Sequence, residues 1–322
     1  MKSKLVITIC CLLAGLPGCT SDSDSAEQQI RQRSGPLNVV CTTNIVKDLV
    51  QQIGGDRVSV TAIMDGPGID PHSYTPSPKD TNAMTAADVV VYSGLHLEGQ
   101  LTQALESLEH RGVPAIAVAE VLNRTHDVRL LTTEEDVPDP HVWFDPEIWA
   151  TCGQWLADEL SDLDPEGRAE YQQAAEEFSK QMTETKQQAL ELVNRIPAER
   201  RVLVTAHDAF EYFARAFDFR VEAVQGISTE SEPGVRRIND LVQLLVDQQI
   251  RAVFTEQSVS EKNIEALVAG CAAAGHELKI GAKLYSDTVG AEGTPEATLS
   301  GALLYNVRQI VDALAGQEAS DP

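Results

Sequence analysis

The tripeptide Asp-Pro-His occurs twice in this chain, ending at His72 and at His141. In each copy the proline fixes its own φ and restricts the preceding aspartate to an extended conformation, so the histidine leaves a stiff, non-helical segment. Because the chain has only seven histidines, the repeat indicates two imidazoles that are held in place to share a metal ion. The alternative is a pair of proline-rich turns that carry histidine by chance.

Two further side chains could join them. His207 lies two residues after the apolar run that ends at Thr205, and Asp287 lies just past another strand-like run. Ligands of open α/β sheets gather outside the carboxyl ends of the strands, so we expect His72, His141, His207 and Asp287 to converge on the crevice between two halves. Three neutral imidazoles and one carboxylate suit Zn²⁺, and a bidentate aspartate would also admit Mn²⁺.

Both later residues have another interpretation. His207 could be a structural histidine at a helix start, and a loop residue such as Asp287 commonly caps a helix or forms a turn. The remaining histidines stand beside polar neighbours and are predicted to face solvent: His96, His110, His126 and His276. Among these four, His96 is the strongest further candidate for a ligand, because it follows a predicted strand.

Strand-like and helix-like segments alternate along most of the chain. This order predicts an α/β protein whose sheets are mainly parallel and flanked by helices. One longer segment interrupts it: Asp164-Pro165-Glu166 has the residues of a helix start, and Pro197 ends the segment. Its apolar or small positions are spaced alternately by four and three residues: Tyr171, Ala175, Phe178, Met182, Thr185, Ala189, Leu192 and Ile196.

This segment predicts a helix of about thirty residues, roughly 45 Å long. A coiled coil would have the same spacing, but a position between two α/β halves favours a stiff helix that joins two lobes. The predicted organisation is an N-terminal lobe over residues 37–162, a linking backbone helix over 163–197, and a C-terminal lobe over 198–322. The metal site is then expected in the cleft between the lobes.

The first 36 residues carry targeting features rather than a fold. Residues 1–18 combine two early lysines with a short apolar run, which is typical of a bacterial lipoprotein signal peptide. Cys19 is the predicted lipidation site, and residues 19–36 form a polar tether between lipid and domain. An ordinary secretory signal with a stray cysteine is the alternative. The three later cysteines, Cys41, Cys152 and Cys271, have apolar neighbours and are expected to be buried thiols, although one disulfide is possible outside the cytoplasm.

Composition limits the classes of function. A hydrophobic fraction of 43% is ample for a buried core, and the length allows one large domain or two ordinary ones. The net charge of −24 argues against nucleic-acid partners and against direct binding to anionic lipid headgroups.

The combination of motifs resembles the TroA-like and ZnuA-like solute-binding proteins of bacterial zinc, manganese and iron ABC importers. The resemblance covers about residues 37–315 and depends on these segments: Asp70-Pro71-His72-Ser73-Tyr74, Pro140-His141-Val142-Trp143-Phe144-Asp145-Pro146, Val204-Thr205-Ala206-His207-Asp208-Ala209-Phe210, Gly226-Ile227-Ser228-Thr229-Glu230 and Leu284-Tyr285-Ser286-Asp287. It implies two α/β lobes on a long helix, with a metal between them. Carried over by position, the implied ligands are His72, His141, His207 and Asp287.

The resemblance also implies a function. We expect a non-catalytic, monomeric receptor, anchored through Cys19 at the periplasmic or outer face of a membrane, that captures one divalent ion and passes it to an ABC permease and its ATPase. His207 as third ligand favours zinc, because many manganese receptors of the family have glutamate there. Many zinc receptors of the family have a histidine-rich loop, and its near absence here, with only His126 in residues 123–139, argues against zinc. On balance zinc is preferred, manganese is next, and Fe²⁺ stays open. The alternatives are a zinc-dependent hydrolase and a metal-binding surface adhesin.

Overall fold

The computed structural model describes residues 35–123, 130–133 and 136–315. The predicted signal peptide, Cys19 and His126 lie outside these residues. The described chain is α/β, as predicted, with parallel strands flanked by helices. In this part of the chain, no helix has the combination of length and apolar character needed to cross a bilayer.

The N-terminal lobe is built on a four-stranded parallel sheet in the order β2-β1-β3-β4. Its elements are β1 (Leu37–Thr43), α1 (Asn44–Gly54), β2 (Val58–Met64), α2 (Pro78–Thr85), β3 (Val89–Tyr92), α3 (Thr102–Glu109), β4 (Ala115–Ala117) and α4 (Pro146–Leu163). The central strand β1 is buried almost throughout. Helix α4 begins where the sequence predicts, with Asp145 accepting a hydrogen bond from the Glu147 amide and Pro146 in the first turn.

The C-terminal lobe contains two pairs of parallel strands, β5 with β6 and β7 with β8. Its elements are β5 (Val202–Thr205), α6 (Glu211–Phe217), β6 (Arg220–Ala223), α7 (Val235–Asp247), β7 (Ala252–Glu256), α8 (Lys262–Ala273), β8 (Lys279–Leu284) and α9 (Leu299–Ala315). Strands β5 and β7 lie next to each other. The His207 amide, just past the end of β5, donates to the carboxylate of Glu256, the last residue of β7, so the carboxyl ends of both strands meet at one edge of the lobe.

The long helix α5 (Arg168–Val193) has 26 residues. It begins later than predicted, because Pro165–Gly167 form a short 3-10 turn. The Asp164 carboxylate accepts hydrogen bonds from the side chains of Arg57 and Tyr171, at 2.7 Å each. That carboxylate therefore ties the start of the helix to the N-terminal lobe instead of capping it.

The predicted seam of α5, meaning the row of apolar or small positions spaced by four and three residues, is buried from Tyr171 to Ala189. One predicted position, Leu192, is wrong. Val193 rather than Leu192 is the buried residue near the end, and Ile196 is buried beyond the end of the helix. The other buried positions follow the spacing of three and four residues, because that spacing keeps side chains on one face of a helix. Helix α4 packs very close to this face: a Cβ at Gly153 would lie 2.8 Å from Cδ1 of Phe178.

One hydrophobic core extends through α5 into both lobes. It contains Val39 of β1, Phe178 of α5, Phe213 of α6 and Leu303 of α9. The hydroxyl of Thr185 on α5 donates to Ser300 Oγ at 3.2 Å, which adds a polar contact with α9. The prediction of a stiff connection between lobes is consistent with this continuous packing. The domain boundaries themselves stay a prediction.

Two helices begin later than the sequence predicts. The pattern of residues 97–110 predicts one helix, but α3 begins only at Thr102, after a left-handed turn at Gly94, Leu95 and His96 with φ of 86°, 52° and 65°. The buried Glu98 carboxylate supports this turn by accepting from the Ser93 and Gly94 amides at 2.7 and 3.2 Å. Ser231-Glu232-Pro233 predicts a second helix start, but α7 begins only after Gly234.

The three later cysteines are buried and unpaired in the described structure. Burial raises the pKa of the thiols of Cys41, Cys152 and Cys271. These side chains therefore pack as small apolar groups, as the sequence predicts.

Candidate metal centre

Four side chains that are far apart in the sequence meet at the junction of the two lobes. His72, His141, His207 and Asp287 each offer one donor atom, and these atoms all lie within 4.8 Å of one another. The first two residues belong to the N-terminal lobe and the last two to the C-terminal lobe. The predicted convergence is thus observed as geometry, while the role of these residues as metal ligands stays a prediction.

The three imidazoles face one another with their Nε2 edges close together. His72 Nε2 lies 3.3 Å from His141 Nε2, and the ring centroids of His141 and His207 are 5.2 Å apart. Asp287 places Oδ1 3.3 Å from His141 Nε2 and Oδ2 3.4 Å from His207 Nε2. All four side chains are buried, with exposed fractions of 3% or less.

His141 is oriented by the aspartate of its own tripeptide. Asp139 Oδ1 lies 2.7 Å from His141 Nδ1 and accepts a second hydrogen bond, at 2.9 Å, from the His141 amide. This contact puts the proton on Nδ1 and leaves Nε2 for an ion. Burial opposes the charged imidazolium, but the carboxylates of Asp139 and Asp287 outweigh it and raise the pKa of His141 to about 9. Without an ion the ring is therefore protonated at neutral pH, and binding an ion releases that proton.

His207 is oriented in the same way by Glu256, a residue that no sequence motif indicates. Glu256 is fully buried, and its carboxylate lies 2.5 Å from His207 Nδ1 and accepts from the His207 amide at 2.9 Å. Burial disfavours the imidazolium, but Glu256 and Asp287 raise the pKa of His207 well above its usual value. The sequence of residues 250–254 predicts a strand that ends at Phe254, whereas β7 ends at Glu256, and this two-residue difference hid the carboxylate.

The same contact corrects the helix that was predicted to start at His207. The Glu256 carboxylate holds the His207 amide, and the Thr205 hydroxyl donates to the His207 carbonyl at 2.9 Å. Helix α6 consequently begins at Glu211. His207 stands on a tight turn after β5, not in a helix.

The carboxylate nearest to His72 in the sequence, Asp70, bonds the His72 backbone and not its imidazole ring. Asp70 Oδ1 accepts from the His72 amide at 2.9 Å, and its Oδ2 accepts from the Thr229 hydroxyl of the other lobe at 2.5 Å. Burial, opposed by Asp287 and assisted by the neighbouring imidazoles, lowers the pKa of His72 to about 4. His72 is therefore neutral and able to donate a lone pair at physiological pH.

Asp287 is held by its own loop and by the first helix of the opposite lobe. Its Oδ2 accepts from the Ser258 hydroxyl at 2.7 Å, and Asn44 at the start of α1 bonds both Thr288 and Val289. Burial opposes its ionised form, yet His207 and His141 hold its pKa well below the usual range. The carboxylate is therefore ionised and fixed in place.

Two buried atoms in the cluster have no hydrogen-bond partner among the described residues: His207 Nε2 and Asp287 Oδ1. Buried polar atoms are rarely left unsatisfied unless something else binds them. Both atoms are on the sides of their residues that face the cluster centre. Three imidazole nitrogens and one carboxylate oxygen suit a single borderline divalent ion such as Zn²⁺.

The histidines outside the cluster differ in one case from expectation. His96 and His110 are exposed, as predicted, and neither joins the cluster. His276 was predicted to face solvent, and this is wrong. It is buried, and its Nε2 lies 2.5 Å from the Ile250 carbonyl oxygen, so it closes the end of α8 against the neighbouring loop.

Replacing Glu256 tests the support of His207. Glu256→Gln keeps the size of the side chain but removes its charge, so the imidazole loses its strongest fixed partner. Outer carboxylates of this kind typically contribute about 10- to 100-fold to metal affinity. We expect that loss in a zinc competition titration with a chromophoric chelator. The control is Glu261→Gln, because Glu261 pairs with Lys283 at the surface, outside the site. Equal zinc affinity in the two variants would contradict the role of Glu256 in supporting His207.

Comparisons with known proteins agree with the geometry. A family model described as ZnuA, zinc-uptake complex component A, periplasmic, matches residues 39–313. The chain is 39% identical over 317 residues to the manganese-binding lipoprotein MntA of Bacillus subtilis, covering 98% of this chain and all of that protein. It is 35% identical over 307 residues to the zinc-binding protein TroA of Treponema pallidum, covering 95% and 98% of the two chains.

Solved structures give the same result for the fold. The periplasmic zinc-binding protein TroA of Treponema pallidum superposes with a TM-score of 0.83 at 36% identity, over 87% of this chain and 99% of that one. The Fe(III)-bound YtgA of Chlamydia trachomatis superposes with a TM-score of 0.77 at 27% identity, over 86% and 98%. The resemblance inferred from the motifs is thereby confirmed, and this chain belongs to the ZnuA family of periplasmic zinc-uptake components.

Proposed function

We propose that this protein is a non-catalytic receptor that captures one divalent transition-metal ion outside the cytoplasmic membrane and delivers it to an ABC importer. The observation that carries this proposal is the buried cluster of three histidines and one aspartate, whose donor atoms lie within 4.8 Å of one another. In this proposal His72, His141, His207 and Asp287 are the ligands. The ion is cargo, so the site has to bind it tightly and also release it.

The partners follow from the family. The family model describes a component of a zinc-uptake complex, and the streptococcal relative ScbA is named a metal ABC transporter substrate-binding lipoprotein. We infer that this chain docks on a permease that works with an ATPase. A zinc hydrolase would need an open ligand position beside a general base, whereas four convergent donors favour a closed tetrahedral shell.

Zinc is the favoured cargo, with manganese next. The Oδ2 atom of Asp287 already accepts from the hydroxyls of Ser258 and Ser286, at 2.7 and 3.3 Å. Its Oδ1 atom is the unpartnered one, so this carboxylate is disposed to bind an ion through one oxygen. One oxygen and three nitrogens make the four-coordinate shell that zinc prefers, while manganese takes larger, oxygen-rich shells.

Metal analysis tests the proposal directly. Protein purified without chelator, then stripped and reloaded, is expected to bind one zinc ion per chain with release of protons from His141 and His207. Elemental analysis gives the stoichiometry, and titration calorimetry in buffers of different ionisation enthalpy counts the protons. Protein that takes up no divalent ion above the level of an unrelated acidic protein would refute the proposal.

The membrane anchor is a separate proposal. Lipidation at Cys19 adds about 0.8 kcal/mol for each buried CH₂, so several acyl chains hold a protein stably on a membrane. Cys19→Ala should move the protein from the membrane to the soluble periplasmic or extracellular fraction, measured by fractionation and immunoblotting. Cys271→Ala, which removes a buried thiol of the folded part, is the control. A Cys19→Ala protein that stays with the membrane would contradict the anchor without affecting the metal site.

A further inference from the structure

A cavity adjoins the metal centre on the side of Asp139. It has a volume of about 460 Å³ and lies between the lobes, with Leu131, Thr132, Thr133 and Asp139 on one wall and Asp208, Glu211 and Ile227 on the other. Three of these described residues are carboxylates and none is basic. The described lining of the cavity is therefore acidic.

The wall formed by the N-terminal lobe is a narrow backbone loop. Thr132 pairs with Pro138 in an antiparallel bridge, and the Asp139 amide donates to the Leu131 carbonyl at 2.9 Å. The Leu131 amide donates a hydrogen bond to the hydroxyl of Tyr212, which belongs to the other lobe, at 3.0 Å. This hydrogen bond links the two walls of the cavity.

Asp139 supplies an independent sign of a missing ligand. It is 1% exposed, and its Oδ1 atom is used by His141. Its Oδ2 atom is buried without a hydrogen-bond partner among the described residues. A buried carboxylate oxygen is costly to leave unpaired, and this one belongs to a side chain that lines the cavity.

The carboxylates around the cavity act on one another. Burial, followed by the charges of Asp208, Asp139 and Glu222, raises the pKa of Glu211 to about 7. Burial and Asp139 raise the pKa of Asp208, against the imidazoles of His141 and His207 and the guanidinium of Arg237. Arg237 already donates to the Ala223 carbonyl at 2.6 Å and pairs with Glu222 at 3.3 Å, outside the cavity.

We propose that this cavity is a second divalent-cation site, in which Asp208 and Glu211 bind a partly hydrated ion and Asp139 stabilises it from the opposite wall. Its donors are oxygens only, which select hard cations of the Mg²⁺, Ca²⁺ and Mn²⁺ class instead of the softer ions suited to imidazole. The site does not depend on the proposed transport function, because its direct ligands differ from the four of the buried centre. It would place one cation on each side of the Asp139 carboxylate.

A manganese titration of zinc-loaded protein tests this site. Zinc outcompetes manganese at nitrogen-containing sites, so one zinc equivalent keeps the buried centre filled. In about 0.15 M salt, long-range attraction by the net charge is screened. Electron paramagnetic resonance of free Mn²⁺ is expected to show one additional bound ion per chain, and elemental analysis of the same sample gives the retained zinc.

Two pairs of substitutions distinguish a specific cation site from nonspecific attraction by the acidic surface. Asp208→Asn with Glu211→Gln should weaken the additional Mn²⁺ by about tenfold or more, because carboxylate charge sets the affinity of such sites. Glu176→Gln with Glu177→Gln makes the same charge change on the exposed face of α5 and should leave Mn²⁺ binding unchanged. Glu211→Gln alone covers the case in which the change beside His207 impairs folding.

The outcomes are distinct. Wild-type protein that binds no additional Mn²⁺, or equal weakening by both pairs of substitutions, would overturn the second site. Loss of zinc from the wild-type protein during the titration would instead contradict the proposed preference of the buried centre for zinc. In that case a second bound Mn²⁺ per chain that is weakened by Asp208→Asn with Glu211→Gln, and not by the control pair, would still test the cavity.

Discussion

His141→Ala is expected to weaken zinc binding by at least about a hundredfold. Four-ligand structural zinc sites bind with roughly 10–16 kcal/mol in total, so one ligand corresponds to about 3 kcal/mol or more, which is two decades in affinity. The substitution also leaves the buried Asp139 carboxylate without its imidazole partner. Zinc affinity measured by competition with a chelator of known strength checks the prediction.

His110→Ala is the matched control for this measurement. His110 is exposed at the end of α3 and lies outside the cluster, so its loss should leave zinc affinity unchanged. If both variants bind zinc as tightly as the wild-type protein, His141 is not a ligand. Circular dichroism of the metal-free variants shows whether any change arises from misfolding.

Phe210→Ala is expected to destabilise the protein by about 3–5 kcal/mol, the usual cost of truncating a buried phenylalanine. Phe144 and Phe210 stack at 4.6 Å between centroids, and each lies three residues after a cluster histidine, His141 and His207 respectively. Both rings are buried in the core that joins the lobes. The stack therefore supports the fold and the relative placement of two imidazoles at once.

Urea unfolding of metal-free protein measures this effect without a contribution from the ion. Phe210→Leu is the control, because it keeps most of the apolar volume and should cost much less. A Phe210→Ala protein as stable as the wild type would show that the lobes do not depend on this contact. In that case zinc affinity should also be unchanged.

The sequence was most informative where local rules act alone. The two Asp-Pro-His segments were recognisable because proline stiffens them and because Asp139 and His141 are close enough in the chain to bond each other. Alternation of strands and helices predicted the fold class, and a position after a strand predicted His207 and Asp287. These inferences need only neighbouring residues and the general rule that sites form at carboxyl ends of strands.

The residues that were missed depend on contacts between distant segments. Glu256 is 49 residues from His207, and its role became visible only when β7 proved to extend two residues further. His276 looked like a surface residue beside Glu277, yet its partner is the Ile250 carbonyl, 26 residues away. Val193 replaced Leu192 in the seam of α5, because an ideal repeat of three and four drifts around a long helix.

The continuous core also has a consequence for folding. Since Val39, Phe178 and Leu303 belong to one packed cluster, each half of the chain buries part of its apolar surface only against the other half. We therefore expect the two lobes to unfold in a single cooperative transition, with equal calorimetric and van't Hoff enthalpies. For a chain that crosses a membrane before it folds, this shared cluster can form completely only once α9, which contributes Leu303, has been delivered.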